Sequence, residues 1–116
     1  SDGATAVDEL ELQHYPGFTE GVIEEIAAAA AARFAVEAVR IVHRHGRLAP
    51  GEPIVFVGAA ARHRRDAFNA VDYLMDRLKT EAPFWKREHG PDGHRWIDAR
   101  DSDVADRGRW DGNQEA

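Results

Sequence analysis

The chain carries fifteen lysine and arginine residues, yet only Lys79 and Lys86 are lysines, and both fall in one short stretch, Lys79-Thr-Glu-Ala-Pro-Phe-Trp-Lys86. Where a generic positive charge suffices, this sequence writes arginine. A lysine amine can lose its proton when partly desolvated, whereas a guanidinium effectively cannot. Two lysines flanking a proline corner therefore suggest amine chemistry. The plain alternative is a pair of surface positions at a helix end and a strand start.

His63-Arg64 forms a second candidate, inside the cluster Arg62 to Arg65. It falls where an apolar strand ending near Gly58 gives way to a helix. At such corners backbone N–H groups and the helix dipole favour anions. Arg64 could grip a phosphate or carboxylate through two parallel hydrogen bonds, and His63 could donate a hydrogen bond or move a proton near neutral pH. Arginines at a helix N-terminus oppose the dipole at a cost of about 0.3 kcal/mol or more, which an anionic ligand would offset. The alternative is a solvated helix start. Of the six histidines, His43 and His45 are expected on one face of a strand, like a two-ligand motif. With no cysteine and no third ligand at a recognisable spacing, exposed strand histidines are the favoured reading and no metal site is assigned. Phe84, Trp85 and Trp96 could suggest a nucleic-acid surface, but aromatics in a hairpin more often pack on their sheet.

These residues need a scaffold. Leu10 and Leu12 alternate with Glu9, Glu11 and Gln13, a strand period, and Pro16-Gly17 breaks it. Thr19 is the expected N-cap of a helix carrying Val22, Ile23, Ile26 and the run Ala27 to Ala32. Residues 37–45 read as a strand, Gly46 to Glu52 as a loop, and Ile54 to Gly58 as a central strand. Residues 64–81 place Ala67, Phe68, Val71, Leu74, Met75 and Leu78 on one helix face, and Pro83 ends that helix. Segments 84–89 and 94–99 form a hairpin around Gly90-Pro91-Asp92-Gly93. A short helix is expected between Asp101 and Trp110.

The length of 116 residues suits one domain, residues 1–116, and a domain this small gains from association with a partner. The net charge of −6 argues against a nucleic-acid coat. The absence of cysteine excludes disulfides and thiolate chemistry, so any sulfur the protein handles must arrive on something else. The longest apolar run, Ile54 to Ala61, is far short of the roughly 20 residues of a membrane helix. Met75 is the sole methionine, so the chain is expected to be processed or cut.

The stretches His14-Tyr-Pro-Gly17, Val42-His-Arg44, Pro50-Gly51-Glu52, Ile54-Val-Phe-Val-Gly58 and His63-Arg64 resemble the large, catalytic subunit family of molybdopterin synthase. So do Tyr73 to Lys79, Arg95-Trp96 and, most specifically, Ala82-Pro-Phe-Trp-Lys-Arg-Glu88. The likeness runs from about Leu10 to Trp110. It implies an α+β, α/β-hammerhead fold with a mixed sheet, two main helices and a C-terminal hairpin. It also implies a cytoplasmic sulfurtransferase of molybdenum cofactor biosynthesis that needs no cofactor of its own.

The resemblance further implies a homodimer within a heterotetramer, with a small ubiquitin-like subunit bound at each end. That partner's C-terminal Gly-Gly thiocarboxylate would supply two sulfurs to cyclic pyranopterin monophosphate, forming the molybdopterin dithiolene. Carried over residue by residue, Lys79 and Lys86 would be catalytic. His63, Arg64, Lys79, Lys86, Arg87 and Glu88 would bind substrate, together with Arg100, which would reach the pocket from the other protomer. One departure stands out: family members carry an N-terminal region with a pocket arginine before the His-Tyr-Pro-Gly stretch, and here that region is missing apart from its final residues, Ser1 to Glu9. A truncated, non-catalytic scaffold that still binds the small subunit is therefore the alternative to an enzyme.

Overall fold

The alternation of Leu10 and Leu12 with charged neighbours becomes strand β1 (Glu9–His14), whose Leu12 is almost fully buried. After it come α1 (Phe18–Arg33), β2 (Ala38–His43), β3 (Gly46–Leu48), β4 (Val55–Ala60), α2 (Arg64–Glu81), β5 (Phe84–Gly90) and β6 (Gly93–Ile97). The computed structural model describes residues 6–97, so Arg100 and the helix expected between Asp101 and Trp110 lie outside the described residues.

The α+β class, the two helices and the C-terminal hairpin are as expected. The strands, however, make two antiparallel sheets, in the orders β3-β1-β5-β6 and β2-β4, where one mixed sheet was expected. The cause is the segment between β2 and β4. Read as loop from its glycines and proline, it instead leaves the plane of those strands and pairs with β1, with Leu10 opposite Leu48 and Leu12 opposite Gly46. Leu48 is buried there, which gives that short strand its reason to form. β4 is accordingly half of a two-stranded ribbon and not a central strand.

The core lies between the helices and one face of that ribbon. Ile26 and Ala30 of α1 meet Tyr73, Leu74 and Leu78 of α2, with Val39, Ile41, Val55 and Val57 packed against them. The strand period of two sends Val42 and Phe56 to the opposite, exposed face. α2 starts and ends where expected, but its buried face is rotated: Ala70 and Tyr73 are buried while Phe68 is 72% exposed. Tyr73 can occupy the core because its ring packs edge-on against Phe34 and its hydroxyl accepts a hydrogen bond of 2.8 Å from Arg77.

Thr19 is not the N-cap. Gly17 takes that place at φ 83, and its N–H donates to the Glu20 carboxylate at 2.7 Å. Thr19 is buried inside the first turn, where its hydroxyl accepts from the Tyr15 N–H at 2.8 Å and donates to the Pro83 carbonyl at 3.1 Å. It thereby ties the start of α1 to the corner between α2 and β5. At the hairpin tip Gly93 adopts φ 105, a conformation open to glycine at little cost.

Candidate active site

Lys79 stands in the last turn of α2, and the helix stops at Ala82, whose backbone is extended ahead of Pro83. The chain reverses and enters β5 at Phe84. Pairing with β1 places Leu12 opposite Lys86 and Leu10 opposite Glu88, so Lys86 stands on the face of the sheet that bears the two leucines. The result is a cavity of about 330 Å³ walled by the four-stranded sheet on one side and by α2 and β4 on the other. Leu10, Leu12, Phe84, Ile54, Met75 and Leu78 supply its apolar lining, and both lysines line it. A volume of this size falls in the usual range for small-ligand sites, roughly 300–1,000 Å³.

A third basic side chain lines the same cavity and was not singled out from the sequence as part of this site. His43, the last residue of β2, lies flat against Phe84, with ring centroids 4.0 Å apart and planes 16° from parallel. Its Nδ1 is 2.7 Å from the Arg44 carbonyl oxygen. Burial pushes the imidazole below its ordinary value, and the charge of Lys86 acts in the same direction. His45, expected on the same strand face, lies beyond the end of β2 and rests against His14, with centroids 3.8 Å apart. Among the described residues no group of three or more His, Cys, Asp or Glu is placed to hold a metal ion.

The next residues of β5 diverge by the period of the strand. Arg87 lies on the opposite face of the sheet from Lys86, beside Glu11 at 3.4 Å and over the Trp96 ring at 4.4 Å. Trp85 and Trp96 meet edge-on there and are about half exposed, so they decorate the outer face and do not fill a core. Glu88 returns to the inner face, is 8% exposed, and accepts a hydrogen bond of 2.9 Å from Arg95, which holds its carboxyl below the ordinary range.

His63 and Arg64 are exposed at the other end of α2, where His63 is the N-cap residue with extended backbone and no side-chain capping bond. Fifteen residues separate Arg64 from Lys79, and at the α-helical rise this is about 22 Å along the axis. Within one chain the His-Arg corner and the lysine cavity therefore do not meet. Arg100 lies outside the described residues.

A family model described as MoaE protein matches residues 1–81. The chain is 62% identical over 102 residues to the molybdopterin synthase catalytic subunit of Caulobacter vibrioides, covering 88% of this chain and 68% of that one. It is 50% identical over 105 residues to the subunit of the same name from Escherichia coli, covering 90% and 70%. Among solved structures, the molybdopterin biosynthesis MoaE protein from Burkholderia ambifaria superposes with a TM-score of 0.77 at 54% identity, over 90% of this chain and 71% of that chain. Molybdopterin synthase from Staphylococcus aureus superposes at 0.79 with 28% identity, over 84% and 71%.

Proposed function

The chain belongs to the MoaE family of molybdopterin synthase catalytic subunits, sulfur-transferring enzymes of molybdenum cofactor biosynthesis, and we propose that its sulfur transfer takes place in the cavity shared by Lys79 and Lys86. On this reading the C-terminal tail of a small ubiquitin-like subunit enters the cavity with its thiocarboxylate. The sulfur passes from that tail to cyclic pyranopterin monophosphate, and a second transfer completes the dithiolene. A cysteine-free chain needs such a donor. The observation that carries the reading is the joint presence of both amines in one largely apolar cavity, where charge stabilisation is worth more than in water. Lys79 would give a proton to the departing thiolate and stabilise its charge. Lys86 would hold substrate anions beside it.

The 22 Å span of α2 bears on the remaining residues. A phosphate held by His63 and Arg64 can lie near Lys79 only if the two come from different chains. We therefore assign the site to a homodimer, in which the His63–Arg64 corner of a second copy closes over the lysine cavity of the first. Two small subunits would bring the assembly to a heterotetramer. Glu88 would act from the inner face of β5 through Arg95, with which it lines a separate cavity at the hairpin tip. Arg87 would act from the outer face, and Arg100 would extend the site beyond β6.

The test is turnover of the pterin precursor with thiocarboxylated small subunit. Lys79→Ala should lower dithiolene formation by about 100-fold or more, the scale of a lost general acid, while dimerisation survives. Lys79→Arg should fail as well, because a guanidinium does not give up its proton. Full activity of the arginine variant removes the acid role. Absence of turnover in the unaltered chain leaves the non-catalytic scaffold.

A further inference from the structure

We propose that His43 is the general base of the lysine cavity, accepting the proton of the water that frees sulfur from the small subunit's acyl carbon. The inference rests on the sulfur-transfer reading above and adds to it a residue and a step.

The geometry fixes which nitrogen can act. A carbonyl only accepts hydrogen bonds, so the 2.7 Å contact with the Arg44 oxygen requires hydrogen on Nδ1. In the neutral ring Nε2 then keeps its lone pair. Among the described residues lining the cavity, the titratable side chains are His43, Lys79 and Lys86. An ammonium offers three donors and no acceptor, so the imidazole supplies what the lysines lack. The stack on Phe84 holds the ring at the cavity wall.

The charged groups around it divide by side. Burial comes first in favouring the neutral ring, and the charges of Lys86 on β5 and His45 after β2 add to it, while the hydrogen bond to Arg44 opposes them. Behind the ring lies a second cavity of about 240 Å³, also lined by His43 and Phe84. Glu20 and Glu24 of α1 line it, together with His14.

The step balances as follows. Once sulfur bridges the acyl carbon and the pterin, the oxygen of a water molecule bonds to the acyl carbon while one water proton moves to Nε2. The carbon–sulfur bond then breaks, and its electron pair stays on the pterin sulfur, where Lys79 supplies a proton. The tail leaves as a carboxylate, its second proton going to solvent, and the proton held on Nε2 makes good the one that Lys79 gave.

The experiment uses the full chain in complex with its thiocarboxylated small subunit and the pterin precursor. His43→Gln removes the base. His43→Asn does too, but retains a donor able to reach the Arg44 carbonyl. Both should lower kcat by roughly 100-fold with KM little changed, lose the acidic limb of the kcat–pH profile, and accumulate an acyl-linked subunit–pterin adduct in intact-mass spectra. In the unaltered enzyme that limb should fall below the ordinary histidine range. Its absence overturns the proposal whether or not the variants fold. So do folded variants that keep wild-type kcat, or that lose kcat with no change of profile and no adduct. An unaltered complex that makes no product at all sinks the sulfur-transfer reading and this inference with it, whereas turnover with indifferent His43 variants sinks the base alone.

Discussion

Glu11 lies among three hydrogen-bonding or charged neighbours on the outer face of the four-stranded sheet. His89 Nε2 is 2.8 Å from one of its carboxylate oxygens, Gln13 donates to the other at 3.0 Å, and Arg87 lies 3.4 Å away. These partners, His89 first, hold its carboxyl down at about 2 from the usual 4.5. A carboxylate with a lower pKa in the folded state stabilises the fold fully above its unfolded value, and that stabilisation drains away as pH falls through the folded one. The melting temperature of the unaltered chain should therefore drop between pH 4.5 and about 2. Glu11→Gln should drop less steeply over the same window, and parallel curves would show that Glu11 contributes nothing. This residue-scale network was not legible beforehand, because it depends on the register that sets Glu11 opposite Arg87. The lysine pair was legible, since composition alone sets two lysines apart from thirteen arginines. His43 was not: its cavity needs Phe84 and the last turn of α2, both far along the chain.

The corner that turns Lys79 toward Lys86 is tied down by a residue of α1, Thr19. Thr19 was expected to cap α1, where its hydroxyl would matter only locally. Buried, it instead joins Tyr15 to Pro83 and links the first helix to the end of the second. Thr19→Val keeps the shape and leaves both the Tyr15 N–H and the Pro83 carbonyl without this partner. It should cost about 1–3 kcal/mol, read as a lower denaturation midpoint at unchanged m-value. A stability equal to the unaltered chain would show that the tie carries no weight. The bounds of α2 were readable because local chemistry sets them: an arginine-rich start after a strand and Pro83 just beyond the end. Its buried face was not readable. Phe68 falls among the periodic apolar positions and Tyr73 does not, and only packing against Phe34, α1 and β4 decides that the tyrosine goes inside.

The described residues, 49 × 25 × 25 Å in extent, place the lysines and the His63–Arg64 corner at two ends of one helix. The α+β class and the hairpin followed from periodicity. The division into two sheets did not, because the glycines and proline around β3 have the composition of a loop and its pairing with β1 is long-range. In the dimer proposed above, each active site combines the lysine cavity of one chain with the His63–Arg64 corner of another. No helix among the described residues is long and apolar enough to cross a membrane. Complementation tests the claim directly: dimers are formed from an equal mixture of Lys79→Ala chains and Arg64→Ala chains, and turnover is measured with the thiocarboxylated small subunit. Each variant alone should be nearly inactive. In a random mixture half the dimers are mixed and each rebuilds one intact site, so activity should recover to roughly a quarter of the unaltered level. Recovery no greater than the sum of the two separate variants would contradict a site shared between chains.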